Sequence, residues 1–497
     1  MMLVDADDDS LGPAALPQPR LTPTPPAMAM RLDAVAVALM GVIVLATLAG
    51  PSVPILKRSI TLPSLPFLLT TAALVVLARH VAFRGTTSRD TFSVWRERLD
   101  RRRHAAAAFR AFVATRPAVF VVAHFAVVTF GLAPTASFTL SSDPFANLPA
   151  RFDAGWYGAI AIDGYEWDRR FDRQRNIAFF PALPMLMRPV GQLIGSRAPG
   201  LPRERRMLRA LWGAVFISLT AFFLALVYLS RLSRILAGAD AAAAAPLLLA
   251  AYPFAAFFNA PYTEGLFLLG AVGAFYYFLR ERWVASSLFG LLVGLSRPNG
   301  CFVSVPLAIL AAQALLAARK REDGPAPLSS LVYPAAVRLL VAAMPGIGML
   351  AFTAYLYAVT DVWFAWARVQ GAWGRTWGIR PLAQGWEWLT TEGLMSVSRG
   401  VPFDTLNTLA VVFVVIMSWS VLRRLGVAYA AFVALNLVPP IFAGGALSMG
   451  RITSTLFPVF IALAAALPRQ AVPAWAGAFA LLQGLVAALF FTWRELF

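Results

Sequence analysis

The chain has 497 residues, 59% hydrophobic and 14% charged, with a mean hydropathy of +0.67. An ordinary soluble domain carries about 25% charged residues, so a water-soluble fold is excluded and one membrane domain is the simpler reading. The formal net charge of +18 does not indicate nucleic acid, because the arginines lie between apolar spans rather than in one patch or a known binding motif.

Cys301 is the only cysteine, which rules out an intrachain disulfide and a cysteine-cluster metal site. Lys57 and Lys320 are the only lysines in an arginine- and alanine-rich chain, a weak sign of a GC-rich genome. Residues 1–30 carry the acidic run Asp5, Asp7, Asp8 and Asp9 and then a proline-rich stretch, which reads as a disordered tail lacking the basic start of a signal peptide.

A helix needs roughly 20 apolar residues to cross a bilayer, where every backbone polar group must be bonded internally. About thirteen such segments follow in order: 33–55, 62–83, 116–134, 210–230, 241–258, 264–280, 283–296, 301–318, 332–359, 406–422, 427–445, 453–468 and 473–493. Ser296-Arg297-Pro298-Asn299-Gly300 interrupts the stretch between Arg282 and Arg319, giving two short helices or one broken span. The expected fold is an all-α polytopic bundle of about 11–13 transmembrane helices. Its parts are a transmembrane hairpin at 31–83, a basic cytoplasmic segment at 84–115 and a larger membrane domain at 116–497, with a first outer loop at about 135–209.

With a cytoplasmic N-terminus, Arg84 to Arg116, Arg231 with Arg234, Arg280 with Arg282, Arg319 to Arg321, and Arg423 with Arg424 fall inside, as the positive-inside rule requires. The basic region from Arg151 to Arg209 falls outside, but long loops constrain topology poorly. Phe92, Trp95 and Leu99 among arginines fit either a helix on the inner leaflet or a solvated linker. No internal repeat is evident.

Five unusual stretches fall on the outer side: Arg151 to Pro184, Asn259 to Glu264, Ser296 to Gly300, Asp361 to Arg399 and Ser448 to Arg451. A reaction centre needs its acid, base and anion-binding groups in one pocket. Asp153 sits among Trp156, Tyr157, Tyr165, Phe179 and Phe180; partial desolvation at the membrane surface raises a carboxylate toward the range useful for accepting a proton. Those aromatics suit either stacking on a sugar ring or an interfacial belt. Asn259 and Pro261 fit a helix start, and Glu264 fits both its positive end and a binding role, as does Tyr262 beside it. Arg297 and Arg451 are candidate phosphate contacts, with snorkelling the competing explanation for Arg451. His80, His104 and His124 are isolated, His124 reading as a bonded packing residue; no zinc-protease, P-loop or nucleophile-elbow motif occurs.

Phe152-Asp153, Trp156-Tyr157, Gly164-Tyr165 and Ala178-Phe179-Phe180-Pro181, in that order, resemble the PIG-V-like mannosyltransferases. The likeness continues through Pro253, Phe258, Tyr262-Thr263-Glu264, Ser296 to Gly300, Ser448 to Arg451 and Phe457-Pro458, over roughly 116–468. It departs at Phe152, where relatives often have Trp, at Pro298 and at Ile452. The resemblance implies a GT-C architecture in a bacterial plasma membrane and a polyprenyl-phosphate sugar donor used on the extracytoplasmic face. It implies Asp153 as general base in an inverting transfer, Arg297 and Arg451 on the donor phosphate, and Trp156, Tyr157, Tyr165, Phe179, Phe180, Tyr262, Glu264 and Asn299 around the substrates. The acceptor, a lipid, glycan or protein, is left open, as is any divalent metal; no cofactor is expected, and partners beyond membrane lipids are unassigned. A multi-pass transporter or flippase of an amphipathic lipid is the alternative, and it predicts paired charges deep within spans.

Overall fold

The computed structural model describes residues 26–494 except 50–51, 56–57, 62–63, 85, 93–102, 197–199, 320–327, 376–377, 380–382, 384–389, 391–401 and 446–447. The expected tail therefore lies outside the described residues up to 25, and so do Trp95 and Leu99. The chain divides into two compact units, 1–51 with 62–101 and 52–61 with 102–497.

The first unit pairs α1 (Ala27–Ala49) with α2 (Leu65–Ala82), so helix begins before the expected limit of the tail. Ile43, Leu68 and Ala72 form its apolar contact. Asp33 on α1 accepts hydrogen bonds from Arg79 Nε (3.0 Å), Ser88 Oγ (2.7 Å) and Thr91 Oγ1 (2.6 Å), so this buried carboxylate is charge-paired.

In the second unit a short antiparallel pair, β1 (Ser52–Ile55) and β2 (Arg58–Thr61), stands where the first span was expected to end. It is the exception to an otherwise helical chain among the described residues. The next helix, α3 (Arg103–Phe130), takes in the second half of the segment expected to be a basic linker. The segment expected as the first outer loop carries α4 (Ala154–Ile162) and α5 (Ala182–Leu193).

Residues Arg203–Ala251, together α6, are helical on either side of Gly238, which sits at φ 86°, ψ −172° and breaks the helix. Ser230 Oγ donates to the Ala242 carbonyl at 2.8 Å, and Ser218 Oγ to that of Phe258 at 3.1 Å. In a straight helix residues 230 and 242 would lie about 18 Å apart. The run is thus a helical hairpin, two arms folded back at Gly238, matching the two expected segments 210–230 and 241–258.

The returning arm runs into a 3-10 turn, Pro253–Asn259, and then α7 (Glu264–Leu279), bent from that turn by 104°. Arg116 of α3 anchors the bend: it is buried, and its guanidinium donates to the carbonyls of Ala250 (2.6 Å) and Ala255 (2.6 Å) and to Asn259 Oδ1 (2.7 Å). Asn259 therefore answers Arg116 rather than capping α7, whose N-cap is Thr263, and Pro261 precedes the helix instead of lying in its first turn. Irregular backbone of this kind is tolerated in a membrane protein where protein groups satisfy it.

After α7 come α8 (Trp283–Ser296), α9 (Ser304–Arg319), α10 (Leu328–Thr360), α11 (Ala365–Arg368), α12 (Pro402–Leu425), α13 (Val427–Gly444), α14 (Met449–Thr453), α15 (Phe457–Ala466) and α16 (Val472–Phe491). Close contact of α7 with α8 requires small residues: a Cβ at Gly270 would lie 2.8 Å from the Val293 backbone nitrogen. Among the described residues seven stretches are long and apolar enough to cross a membrane, eight if the bent pair is one span. The difference from the thirteen expected segments lies in the α6 hairpin counting once, in three shorter apolar helices, 66–82, 283–296 and 457–466, and in 33–55, which is not among the stretches counted. The protein is a multi-pass integral membrane protein.

Candidate active site

Asp153 is the N-cap residue of α4, yet its side chain makes no capping bond. An aspartate at this position ordinarily accepts from the first free amides of its helix. Here the carboxylate turns elsewhere, and the geometry before it explains how. Phe152 adopts φ 45°, a left-handed conformation costly for a bulky residue. Its ring lies 4.4 Å from that of Trp493 and stacks on Phe490 at 5.6 Å. Arg151, fully buried, donates from Nε to the Phe491 carbonyl at 2.6 Å. Burial draws the Arg151 pKa down to about 10. The end of α16 thus clamps both residues ahead of Asp153.

The Asp153 backbone N–H donates to the Tyr262 hydroxyl at 3.1 Å. Tyr262 is 1% exposed, so it positions the Asp153 backbone from the bend before α7 rather than facing a ligand. Asp153 Oδ2 accepts from Arg451 Nη1 at 2.9 Å, and the same guanidinium places Nε 3.2 Å from Glu264 Oε1. Glu264 Oε1 also accepts from Arg297 Nη1 at 2.8 Å. Among the described residues, Asp153 Oδ1 has no bonded partner. Its side chain is 21% exposed, against 11% for Arg451, 12% for Arg297 and 1% for Glu264.

Four of the five stretches expected on the outer side therefore meet in one chain of charge: Asp153, Arg451, Glu264 and Arg297. Arg451 stands on α14, a single turn preceded by Ser448 at φ 60°. Gly450 lies against the Phe254 ring so closely that a Cβ there would overlap it. The Arg451 guanidinium lies over Tyr262, 5.2 Å from the ring centroid. Burial works against its charge, but Glu264 and Asp153 outweigh that cost and raise its pKa above the ordinary arginine value. Arg451 is thus buried and paired rather than snorkelling.

Of the fifth stretch, most of 376–399 lies outside the described residues, and its first part, 361–375, reaches the centre through aromatic packing. Trp156 stacks on Phe179 at 5.9 Å and 18°, and Trp373 meets both rings edge-on, at 6.0 and 5.8 Å. Tyr157 packs on Phe179 at 5.1 Å and on Tyr262 at 6.4 Å. Its burial, with the charges of Glu264 and Asp153, raises its pKa and keeps its hydroxyl protonated. Two residues past Trp373, after Gly374 turns at φ 71°, comes Arg375. Burial, and then the charge of Arg451, lower the Arg375 pKa to about 10; Asp153 and Arg297 also act on it.

Three of the aromatic and polar candidates stand apart from this centre. Phe180 is 1% exposed and packs on Phe352 and Trp366, in a separate core with Leu356 and Val369. Tyr165 joins the edge of that core and donates its hydroxyl to the Phe179 carbonyl at 2.8 Å, which fixes the backbone under the Phe179 ring. Asn299 donates to Asn436 Oδ1 at 2.8 Å, tying the turn after Arg297 to α13. His124 packs between Phe125 and Phe145 as expected, but its Nδ1 is buried without the expected hydrogen bond.

Sequence reasoning missed Arg375, and it missed Asn407, whose Oδ1 accepts from the Gly450 N–H at 2.6 Å and so steadies α14. An isolated amide in an apolar helix was the available signal for Asn407. Among the described residues no three His, Cys, Asp or Glu side chains converge to hold a metal ion, and the two central carboxylates both face guanidiniums.

Residues 133–364 match the family model described as Mannosyltransferase (PIG-V). No curated protein matches the chain. Among solved structures the chain is similar to the Archaeoglobus fulgidus oligosaccharyltransferase in complex with zinc and sulfate, at 15% identity over 76% of this chain and 53% of that one, with a TM-score of 0.35. It is also similar to the same enzyme tethered through a disulfide to an acceptor peptide containing the NVT sequon, at 14% identity over 76% and 55%, with a TM-score of 0.34. The chain spans about half the length of the solved structures it matches.

Proposed function

We propose that this chain, whose residues 133–364 match the family model Mannosyltransferase (PIG-V), is a membrane glycosyltransferase that moves mannose from a polyprenyl-phosphate donor to a hydroxyl acceptor with inversion, on a GT-C-type scaffold. The observation that carries the reading is Asp153: a carboxylate at a helix N-cap that is not used for capping, held through Oδ2 by Arg451, with no partner for Oδ1 among the described residues.

Asp153 is the base. The acceptor oxygen attacks the anomeric carbon, its proton passes to Asp153 Oδ1, and the bond between that carbon and the phosphate oxygen breaks. The donor phosphodiester carries one negative charge and the departing prenyl phosphate two, so the charge lost at Asp153 appears on the leaving group. Guanidiniums fixed in advance where that charge develops stabilise the transition state without reorganising. Trp156, Phe179 and Trp373 supply apolar faces on which a sugar ring stacks.

The arginine distribution supports an extracytoplasmic site. Glu264 opens α7 at the site and Arg280 follows its other end; α8 returns from Arg282 to Arg297. The loop arginines thus lie a helix length away from the centre, on the face that the positive-inside rule assigns to the cytoplasm. The test is transfer of labelled mannose from polyprenyl-phosphate mannose by membranes holding the full chain. Labelled product is expected; translocation of the lipid without sugar transfer would overturn the reading in favour of a flippase.

A further inference from the structure

We infer that Arg375 is the phosphate anchor of this site, its guanidinium receiving the phosphate of the lipid-linked donor and holding it as it departs; the inference rests on the transferase reading above.

The charge arrangement leads there. Arg297 and Arg451 are already committed, at 2.8 Å and 3.2 Å to Glu264 and 2.9 Å to Asp153. Pulling Arg451 away takes the bonded partner from Asp153, and pulling Arg297 away takes the hydrogen bond from buried Glu264, so either move costs an ion pair that the site already holds. Among the described residues two carboxylates and three arginines share the site, one positive charge more than the carboxylates balance, and Arg375 makes no hydrogen bond or ion pair with the described residues. A phosphodiester brings the single negative charge that balances it.

Position agrees with charge. Trp373 and Gly374 turn the segment onto the Trp156–Phe179 shelf, so Arg375 follows directly from the surface proposed to take the sugar. Asp153, Arg451 and Arg297 are the charges that act on it. Half-buried and acted on by two like charges, it is a cation that gains from an anion. A planar guanidinium binds phosphate oxygens in pairs, whereas a lysine offers only a point charge.

The experiment uses the full chain in phosphatidylcholine nanodiscs, with binding of labelled polyprenyl phosphate and sugar transfer measured in parallel. Arg375→Gln is expected to weaken polyprenyl phosphate binding and raise the donor KM by about tenfold or more, with kcat less affected; Arg375→Lys is expected to lie between it and the wild type. Inorganic phosphate is expected to compete only weakly; competition as strong as that of polyprenyl phosphate would overturn the lipid-linked identity of the ligand. Wild-type transfer together with both variants binding and turning over as the wild type would overturn the anchor while leaving the transferase reading intact. Absence of both binding and transfer in the wild type would overturn that reading and the anchor with it. Should the Gln variant fail to fold, the Lys variant decides: unchanged donor KM and binding overturn the anchor.

Discussion

Arg451 reaches across 298 positions of sequence to donate to Asp153 at 2.9 Å, and the same guanidinium stands 3.2 Å from Glu264. One side chain thereby holds the proposed base and joins the outer loop to the bend before α7. Such a bridge depends on the forked shape of the guanidinium as much as on its charge.

Arg451→Lys tests that shape. The lysine keeps the charge but cannot face both carboxylates from one rigid fork. Sugar transfer is expected to fall by about ten- to a hundredfold, consistent with the energy of one to two charge-assisted hydrogen bonds, while the protein still inserts. Activity within twofold of the wild type would show that the bridge has no part in turnover.

Tyr262→Phe removes the hydroxyl that accepts from the Asp153 N–H and leaves the ring beneath Arg451. The expected loss of stability is about 1 kcal/mol, the net worth of one hydrogen bond. The fall in kcat is expected to exceed the change in KM, because the hydroxyl positions Asp153 rather than touching substrate. Thermal unfolding of the detergent-solubilised variant, with kcat and KM taken separately, checks both parts.

Gly238→Ala addresses the scaffold. The reversal of α6 sits at φ 86°, ψ −172°, a region essentially closed to side chains. A loss of about 1–3 kcal/mol is expected, read as a lowered unfolding temperature, with transfer per folded molecule unchanged. A neutral effect on stability would mean that the hairpin turns by another geometry.

Much of this was legible in the sequence, and the reason is the solvent. A bilayer forces apolar runs into helices, so the segments 116–134, 264–280, 283–296, 427–445 and 473–493 correspond to α3, α7, α8, α13 and α16. Asp153, Glu264, Arg297 and Arg451 could be singled out because charges are rare in such a chain and conspicuous at its loops. Their pairing could not be read: the contacts join residues far apart in sequence and no periodicity encodes them. Aromatics were ambiguous for a related reason. Phe179 and Phe180 are adjacent and chemically identical, yet Phe179 joins the shelf and Phe180 fills a core, because consecutive side chains point in different directions. Arg375 was one of several arginines in a loop without a motif, and only the fold of 361–375 onto the shelf sets it apart.

The central claim is that Asp153 removes the acceptor proton. Asp153→Asn preserves size and hydrogen-bonding shape while losing the proton-accepting charge, so the measurement is transfer of labelled mannose from polyprenyl-phosphate mannose by membranes holding equal amounts of correctly inserted wild type and variant. A fall in kcat of at least about a hundredfold, the scale of general base catalysis, with donor binding retained, is the expected result. Full activity in the inserted Asn variant would contradict the claim.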